Sequence, residues 1–216
     1  ITPEALIAAS HEQHTRDFAG FEIHFDNYYS TNSPENRRFC NAVYEAMMRS
    51  GAVTARSLPQ LYCAHDRMFL PDRYIKGQCP KCGAPDQYGD SCEVCSAVYA
   101  PTDLIDPFST LSGAKPELRR SEHFFFRLSD PRCVAFLRDW TRSKGRHGKP
   151  RLQPEVLAKA QEWLGEDDPQ GRLADWDISR DAPYFGIEIP GEPGKYFYVW
   201  LDAPIGYLAS LKAYCK

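Results

Sequence analysis

Four cysteines lie close together in one short segment, in two C-x-x-C pairs: Cys79 and Cys82, then Cys92 and Cys95. Each pair places two sulfurs on one tight turn, and two such turns supply the tetrahedral all-thiolate cage that zinc prefers. A complete set of four cysteine ligands leaves no open coordination position, so the spacing predicts a structural zinc ion rather than a catalytic one. Disulfide bonds and an iron–sulfur or redox role are the alternatives that the spacing alone leaves open.

The composition indicates the compartment in which these thiols work. The 216-residue chain is 43% hydrophobic and 25% charged, and its net charge of −3 gives no case for DNA or RNA binding by the chain as a whole. It contains no apolar run long enough to span a bilayer and begins without a signal peptide. We therefore expect a cytoplasmic protein with no membrane partner, where reducing conditions favour metal over disulfides at paired C-x-x-C motifs.

Capping residues predict where the helices begin. Thr2, Ser33 and Asp130 each precede a segment with helical spacing of apolar residues, and a fourth helix is expected over residues 154–164. Between about residues 56 and 120 turn residues become frequent and strands would be short. This middle stretch, with the cysteine cluster inside it, predicts a small metal-stapled module inserted into an α/β layer.

Three segments are predicted to be strands. Residues 21–26 alternate strictly between apolar and polar, and residues 121–128 are rich in aromatic residues. Residues 196–202 are almost continuously apolar, which suits a strand buried on both faces of a parallel sheet. The remaining, singly spaced cysteines are expected to be small buried hydrophobic residues; they are Cys40, Cys63, Cys133 and Cys215.

Three other segments have residue types that could bind a metal or a partner. Residues 11–14, HEQH, are one residue short of the zinc-protease motif and are interpreted as a solvated helix face. Residues 142–151, RSKGRHGKPR, form a basic, glycine-bearing loop that is either simply solvated or in contact with an RNA backbone. Residues 166–168 are acidic and are interpreted as surface charge.

The most distinctive segment is YFYVWLDAPIGY, residues 196–207. Large aromatic residues flank small ones there, which predicts either a slot for a slender apolar side chain or plain aromatic core packing. Together with residues 26–37, 69–95, 120–130 and 176–195, it resembles bacterial methionyl-tRNA synthetases, a family of class I aminoacyl-tRNA synthetases. The resemblance covers nearly the whole chain, in order.

The resemblance implies an α/β fold: part of a Rossmann-type class I synthetase catalytic domain with an inserted small zinc-knuckle connective-peptide domain. On this interpretation residues 1–55 end the first half of the catalytic domain and residues 56–125 form the zinc-knuckle insert. Residues 126–174 form a helical connection, in which the basic loop is longer than the family's usual one, and residues 175–216 begin the second half.

The resemblance also implies roles for particular residues. The methionine pocket would be lined by Trp200, Ala203, Pro204 and Tyr207, and Arg180 would face ATP and the tRNA end. The implied partners are methionine, ATP with magnesium, and tRNA(Met), and the zinc ligands are Cys79, Cys82, Cys92 and Cys95. The chain lacks the H-I-G-H and K-M-S-K-S elements and both of its ends look cut, so it is expected to be a central fragment that is inactive alone.

Some family members carry a second, outer zinc knuckle. Its four ligand positions are here occupied by Cys63, Asp66, Ser109 and Ser112, which make a poor zinc site, so one zinc ion is expected rather than two. Synthetases for leucine, isoleucine or valine carry larger, editing inserts and fit less well. A non-catalytic zinc-ribbon module that binds RNA or protein is the alternative from a different functional class.

Overall fold

The computed structural model describes residues 1–165 and 173–216, so the acidic residues 166–168 lie outside the described part. The helices of the described residues are α1 (Pro3–Gly20), α2 (Pro34–Arg49), α3 (Pro131–Arg142), α4 (Pro154–Trp163) and α5 (Val199–Tyr214). The strands are β1 (Val53–Cys63), β2 (Met68–Phe69), β3 (Ile75–Gln78), β4 (Gln87–Tyr88), β5 (Ile105–Ser109), β6 (Glu117–Phe126), β7 (Trp176–Asp177), β8 (Ser179–Asp181) and β9 (Lys195–Phe197).

Side-chain caps start three of the helices, at the residues that the sequence predicted. Thr2 Oγ1 accepts a hydrogen bond from the backbone N–H of Ala5 at 3.3 Å. Ser33 Oγ accepts from the N–H of Asn36 at 3.2 Å, and Asp130 Oδ1 accepts from the N–H of Arg132 at 2.9 Å. These oxygens satisfy backbone donors that the first turn of a helix leaves without an intrahelical partner.

The strands form three small sheets, with the orders β2-β1-β6-β7, β4-β3-β5 and β8-β9. The pairs β1–β2, β3–β4, β3–β5, β6–β7 and β8–β9 are all antiparallel. The predicted parallel strand over residues 196–202 is therefore wrong. Its first residues belong to the antiparallel strand β9, and helix α5 begins at Val199. Of the first three residues of α5 only Leu201 is buried, whereas Val199 and Trp200 are exposed, so this stretch does not lie between two sheet neighbours.

The predicted strand over residues 21–26 is also wrong. The chain leaves α1 through a turn in which Glu22 has a φ of +58° and the N–H of Ile23 donates to the carbonyl of Phe18 at 2.9 Å. Phe21 is 80% exposed and Phe25 is 52% exposed. Alternation of apolar and polar residues forms a strand only where a neighbouring strand accepts its hydrogen bonds, and the described residues supply none here.

The chain divides into two compact units. The first comprises residues 1–43, 57–123 and 179–216. Residues 57–123 of this unit contain a core around Ile75, which is fully buried. The core residues are Leu61, Cys63, Met68, Leu70, Ile75 and Leu104. Cys40 and Cys63 are buried as predicted, whereas Cys215 is exposed and Cys133 is half-buried, so the prediction was wrong for these two.

The second unit comprises residues 44–56 and 124–178. Within it β7 pairs with the end of β6, the Tyr44 and Phe124 rings meet edge to face, and Arg56 forms an ion pair with Asp175. Helices α3 and α4 also contact each other in this unit. Within the described residues, no helix is both long enough and apolar enough to cross a membrane.

Candidate metal centre and substrate pocket

The four predicted zinc ligands meet in the structure. Their sulfur atoms all lie within 4.8 Å of one another. The Sγ atoms of Cys79 and Cys95 are 3.8 Å apart, and those of Cys82 and Cys92 are 3.7 Å apart. A tetrahedral zinc ion with Zn–S bonds of about 2.3 Å requires sulfur separations of roughly 3.8 Å, so the cluster matches a metal cage and is far too wide for disulfide bonds.

The backbone builds both halves of this cage in the same way. The N–H of Cys79 donates to Ala84 and the N–H of Gly83 donates back to Cys79, both at 2.9 Å. In the second half Cys92 and Ser96 occupy the equivalent places, again at 2.9 Å, with Ala97 as the acceptor for Cys92. The residue after each pair lies in the left-handed region, with a φ of +74° at Gly83 and +58° at Ser96.

The clustered thiols shift one another's pKa values. Burial raises the pKa of Cys79, but backbone N–H donors from Cys82 and Lys81 outweigh burial and lower this pKa to about 6. The backbone N–H of Ala97 lowers the pKa of Cys95, but the neighbouring sulfur of Cys92 and burial outweigh it and raise this pKa to about 12. A metal ion would hold all four sulfurs as thiolates by compensating their mutual repulsion.

A second cluster occupies the positions of the outer knuckle. Asp66 Oδ2 accepts hydrogen bonds from Ser109 Oγ at 2.6 Å and from Ser112 Oγ at 2.9 Å, and Cys63 Sγ lies 3.9 Å from Ser112 Oγ. The hydroxyl of Ser109, followed by the thiol of Cys63, lowers the pKa of Asp66 to about 2. We call these four residues the outer cluster.

The backbone of the outer cluster follows that of the cysteine cage. The N–H of Ser109 donates to Ala114 at 2.9 Å, the N–H of Gly113 donates back to Ser109 at 2.8 Å, and Gly113 has a φ of +73°. In the other half Cys63 is paired with Met68 across β1 and β2, and Arg67 has a φ of +56°. The outer cluster therefore has two knuckle-shaped turns around a carboxylate instead of around four sulfurs.

The four residues predicted for the methionine pocket all lie on helix α5, including Trp200, which was predicted to be in a strand. Trp200, Ala203, Pro204 and Tyr207 are spaced i, i+3, i+4 and i+7, so they share one helical face. Trp200 is 61% exposed and Tyr207 is 81% exposed. Pro204 has no N–H, so the carbonyl of Trp200 lacks its usual helical partner at the centre of this face.

A cavity of about 440 Å³ opens along this face of α5. Its opposite wall is the segment 27–31. The segment comes close because Gly206 has no side chain: a Cβ atom there would lie 2.7 Å from Thr31 Cγ2. Asn27 Nδ2 donates to the carbonyl of Ser210 at 2.8 Å, and Asn36 Nδ2 donates to that of Thr31 at 3.0 Å, which together fix this wall.

A buried polar network surrounds Asp181 on β8. Its carboxylate lies 2.8 Å from Ser121 Oγ, 3.2 Å from His123 Nε2 and 2.5 Å from Lys195 Nζ. Burial raises the pKa of Asp181, but the hydrogen bonds from His123 and Lys195 outweigh it and lower the pKa to about 2. Ser179 Oγ lies 3.2 Å from His123 Nδ1, but both residues are at most 1% exposed, so this Ser–His–Asp series cannot reach a substrate and serves to fix β8.

Arg180 lies between these two anchored residues of β8 and, by strand alternation, faces the other way. Its guanidinium carbon is 3.7 Å from the centroid of the Tyr198 ring, and Nη1 donates to the carbonyl of Ser179 at 2.6 Å. Tyr198 is the capping residue of α5. The positive charge of Arg180 also offsets part of the burial that raises the pKa of Asp72.

The family model for class I tRNA synthetases (M) matches residues 1–216. The chain belongs to this family. The α/β fold and the resemblance to methionyl-tRNA synthetases predicted from the sequence are thereby confirmed.

Curated relatives of this synthetase chain include methionine–tRNA ligases from several bacteria. It is 61% identical over 216 residues to the one from Azoarcus sp. (strain BH72) and 58% identical over 216 residues to the one from Neisseria meningitidis serogroup C. The chain spans about 30% of the length of these relatives. Among solved structures, Mycobacterium tuberculosis methionyl-tRNA synthetase in complex with methionyl-adenylate matches 97% of the chain with a TM-score of 0.58 at 17% identity, which shows the fold alone.

Sequence reasoning missed the residues that position the predicted ones. Gly206 and Asn27 set the distance and orientation of the two cavity walls, and His123 with Asp181 and Lys195 fixes the strand that carries Arg180. Asn27 is 183 residues away in the chain from its partner Ser210, and His123 is 58 residues away from Asp181. The sequence around His123 gave little signal of such a role, because Ser121 and Glu122, which precede it in β6, are also polar.

Proposed function

We propose that this chain is the part of a methionine–tRNA ligase that carries one structural zinc ion and one wall of the methionine pocket. The complete enzyme, which we expect in the cytoplasm, activates methionine with ATP and magnesium and transfers it to tRNA(Met). The observation that carries this proposal is the 58–61% identity, over the whole chain, to relatives named methionine–tRNA ligase. Residues 1–55 and 175–216 would come from the two halves of the catalytic domain, with the insert at 56–125 and a helical connection at 126–174.

The face of α5 suits the side chain of methionine. Trp200 and Tyr207 offer aromatic rings, Pro204 offers an apolar edge, and Ala203 leaves room between them. A thioether makes favourable contacts with aromatic rings, and its unbranched chain fits a narrow slot that excludes branched side chains. In this proposal these four residues contact the methionine side chain and take no part in the chemical steps.

Arg180 is proposed as the contact with ATP or with the tRNA end. Its guanidinium is always charged and its planar donors suit phosphate oxygens. The stack on Tyr198 and the anchored residues on both sides of it limit its conformations. A charge held in place in advance stabilises a negatively charged transition state without reorganisation at the moment of reaction.

Zinc is proposed as the ion in the cysteine cage. Four thiolates at tetrahedral spacing leave no open position for water or substrate, so the ion would fold the insert and take no chemical step. The outer cluster, with one thiol, a carboxylate and two hydroxyls, is proposed to hold no zinc.

Methionine-dependent exchange of pyrophosphate into ATP tests the proposal in the complete enzyme. Trp200→Ala and Tyr207→Ala each remove an aromatic wall, and we expect the KM for methionine to rise roughly 10- to 200-fold, the range for lost contacts in an apolar pocket. Trp163→Ala is the matched control, because Trp163 is also exposed, at 58%, but lies on α4 in the other unit. Zinc content without any methionine-dependent exchange would overturn the proposal and favour a zinc-ribbon binding module.

A further inference from the structure

The basic segment 142–151 forms an ordered hairpin at the end of α3. Lys144 and Pro150 form an antiparallel bridge, and the N–H of Gly145 donates to the carbonyl of Lys149 at 2.8 Å. The N–H of Gly148, which has a φ of +72°, donates to the carbonyl of Gly145 at 3.0 Å and closes the turn. This places residues 146 and 147 at the tip, with Lys144 and Lys149 on the two arms. We call this segment the basic hairpin.

The charge of the basic hairpin has one sign. It contains five arginine or lysine residues and no aspartate or glutamate. All five side chains are exposed. Within residues 1–165 and 173–216, the side chains of Lys144, Arg146 and Lys149 form no ion pair. Crowding like charges in this way costs free energy unless an anionic partner supplies the missing counter-charge.

The base of the basic hairpin is held in place from α3. Arg151 Nε donates to Ser143 Oγ at 2.8 Å, and the guanidinium carbon of Arg151 lies 5.1 Å from the Trp140 ring centroid. Ser143 in turn caps the carboxyl end of α3, where basic side chains are favoured by the helix dipole. The backbone of the two arms is therefore held in one conformation, so binding costs little backbone entropy.

We propose that the basic hairpin is a contact surface for the phosphate backbone of RNA. This inference rests on the proposed function, because a tRNA ligase binds RNA in every catalytic cycle. It adds a surface that would contact part of the bound tRNA. The contacts are electrostatic and independent of sequence. Lysine and arginine displace counterions condensed on the RNA, and the binding constant then falls as salt is added.

The salt dependence of tRNA binding by the complete enzyme tests this inference. The variant carries Lys144→Ala, Arg146→Ala and Lys149→Ala together, and binding of a tRNA(Met) transcript is titrated between about 50 and 200 mM KCl. Loss of three phosphate contacts should make the slope of log K against log salt less negative by roughly 2 to 3. Methionine-dependent pyrophosphate exchange should stay unchanged, because that step needs no RNA.

A matched variant keeps the charges and changes the side chains: Lys144→Arg, Arg146→Lys and Lys149→Arg. Its slope and affinity should equal those of the wild type. The inference is wrong if the triple alanine variant keeps the wild-type slope. It is also wrong if both variants lose the same tRNA affinity, which would indicate recognition of bases or misfolding. Release from phosphatidylserine vesicles with an unchanged tRNA slope would assign the hairpin to a lipid surface instead. Absence of exchange in the wild type defeats the proposed function, while the slopes still decide the role of the hairpin.

Discussion

The cysteine cage and the outer cluster have similar turns but different groups at their centres. Each joins two turns. The turn after Ser109 has the same backbone hydrogen bonds as both cysteine turns, and in all four turns one residue lies in the left-handed region. In the cage the centre is four sulfurs within 4.8 Å of one another. In the outer cluster it is the carboxylate of Asp66, with two serine hydroxyls as donors.

The two pairs of turns differ in the apolar support that each receives. The outer turns adjoin the apolar core around Ile75, which includes Cys63 and Met68 themselves, so burial helps to hold them together. The cysteine turns carry exposed Cys82 and Cys95 and contribute no residue to that core. We therefore expect hydrogen bonds to be enough to close the turn pair that has apolar support, and the pair without it to need an ion.

Removing the metal should have the largest effect. Cys92→Ser, or a strong chelator, should unfold the segment 79–97, because structural zinc supplies on the order of 10 kcal/mol of folding free energy. Limited proteolysis with mass spectrometry would locate new cleavage sites, and plasma emission would measure the lost zinc. Cys215→Ser is the control, since Cys215 is exposed and outside both clusters. If the metal-free protein is as resistant to proteolysis as the zinc-bound protein, the cysteine turns do not depend on the metal.

Restoring sulfur to the outer cluster should add a second ion. The combined changes Asp66→Cys, Ser109→Cys and Ser112→Cys would complete a four-cysteine set with Cys63 on turns that already have knuckle geometry. Zinc per chain should rise from one to two by plasma emission. Adding Cys63→Ser to this variant should return the zinc content to one ion per chain. If the triple cysteine variant itself binds only one zinc ion, the turns of the outer cluster are not equivalent to those of the cysteine cage.

Weakening the carboxylate should have a smaller effect than losing zinc. Asp66→Asn keeps the shape but loses the charge that strengthens the hydrogen bonds from Ser109 and Ser112. We expect a lower unfolding midpoint with full zinc content, followed by circular dichroism and metal analysis. Asp106→Asn is the comparison, because the Asp106 ion pair with Lys115 is largely exposed and should contribute little. Loss of zinc in Asp66→Asn would show that the clusters are not independent.

Acid should open the two clusters in sequence. The pKa of Asp66 is lowered to about 2 in the folded chain, below the roughly 3.9 of an unfolded aspartate. Its contribution is therefore complete above about pH 4 and declines as the pH falls toward 2. Protons compete with zinc for thiolates at higher pH, so zinc release, followed with a chromogenic chelator, should precede the loss of outer-cluster amide signals in NMR. Loss of the outer-cluster amide signals before zinc release would contradict the assignment of zinc to the cysteine cage and of Asp66 to the centre of the outer cluster.

The turn residues should give the smallest effect. Gly83 and Ser96 hold equivalent left-handed positions, which cost residues with a side chain about 1 kcal/mol. Gly83→Ser should therefore destabilise the zinc-bound chain by about that amount. Ser96→Gly should stabilise it by only a few tenths of 1 kcal/mol, because the relief of left-handed strain is largely offset by the freedom that glycine gains in the unfolded chain. Thermal unfolding measures both. Equal and same-signed shifts would show that the two halves of the cage are not built alike.

Local chemistry was enough to predict the cluster of four cysteines and the helix starts. Two C-x-x-C pairs specify a cage because ligands three residues apart share one turn, and Thr2, Ser33 and Asp130 start helices because a capping oxygen acts within its own turn. The resemblance carried by residues 196–207 also identified the family correctly, although the strand predicted there was wrong.

Tertiary structure decided what depends on distant partners. Residues 21–26 alternate like a strand but have no strand beside them in the described residues, and residues 196–202 change from strand to helix at Val199. The approach of Thr31 to Gly206, and the network that fixes Arg180 through Asp181, join residues far apart in the chain. A short sequence window determines hydrogen bonds within a turn, whereas packing between segments depends on which surfaces the whole chain brings together.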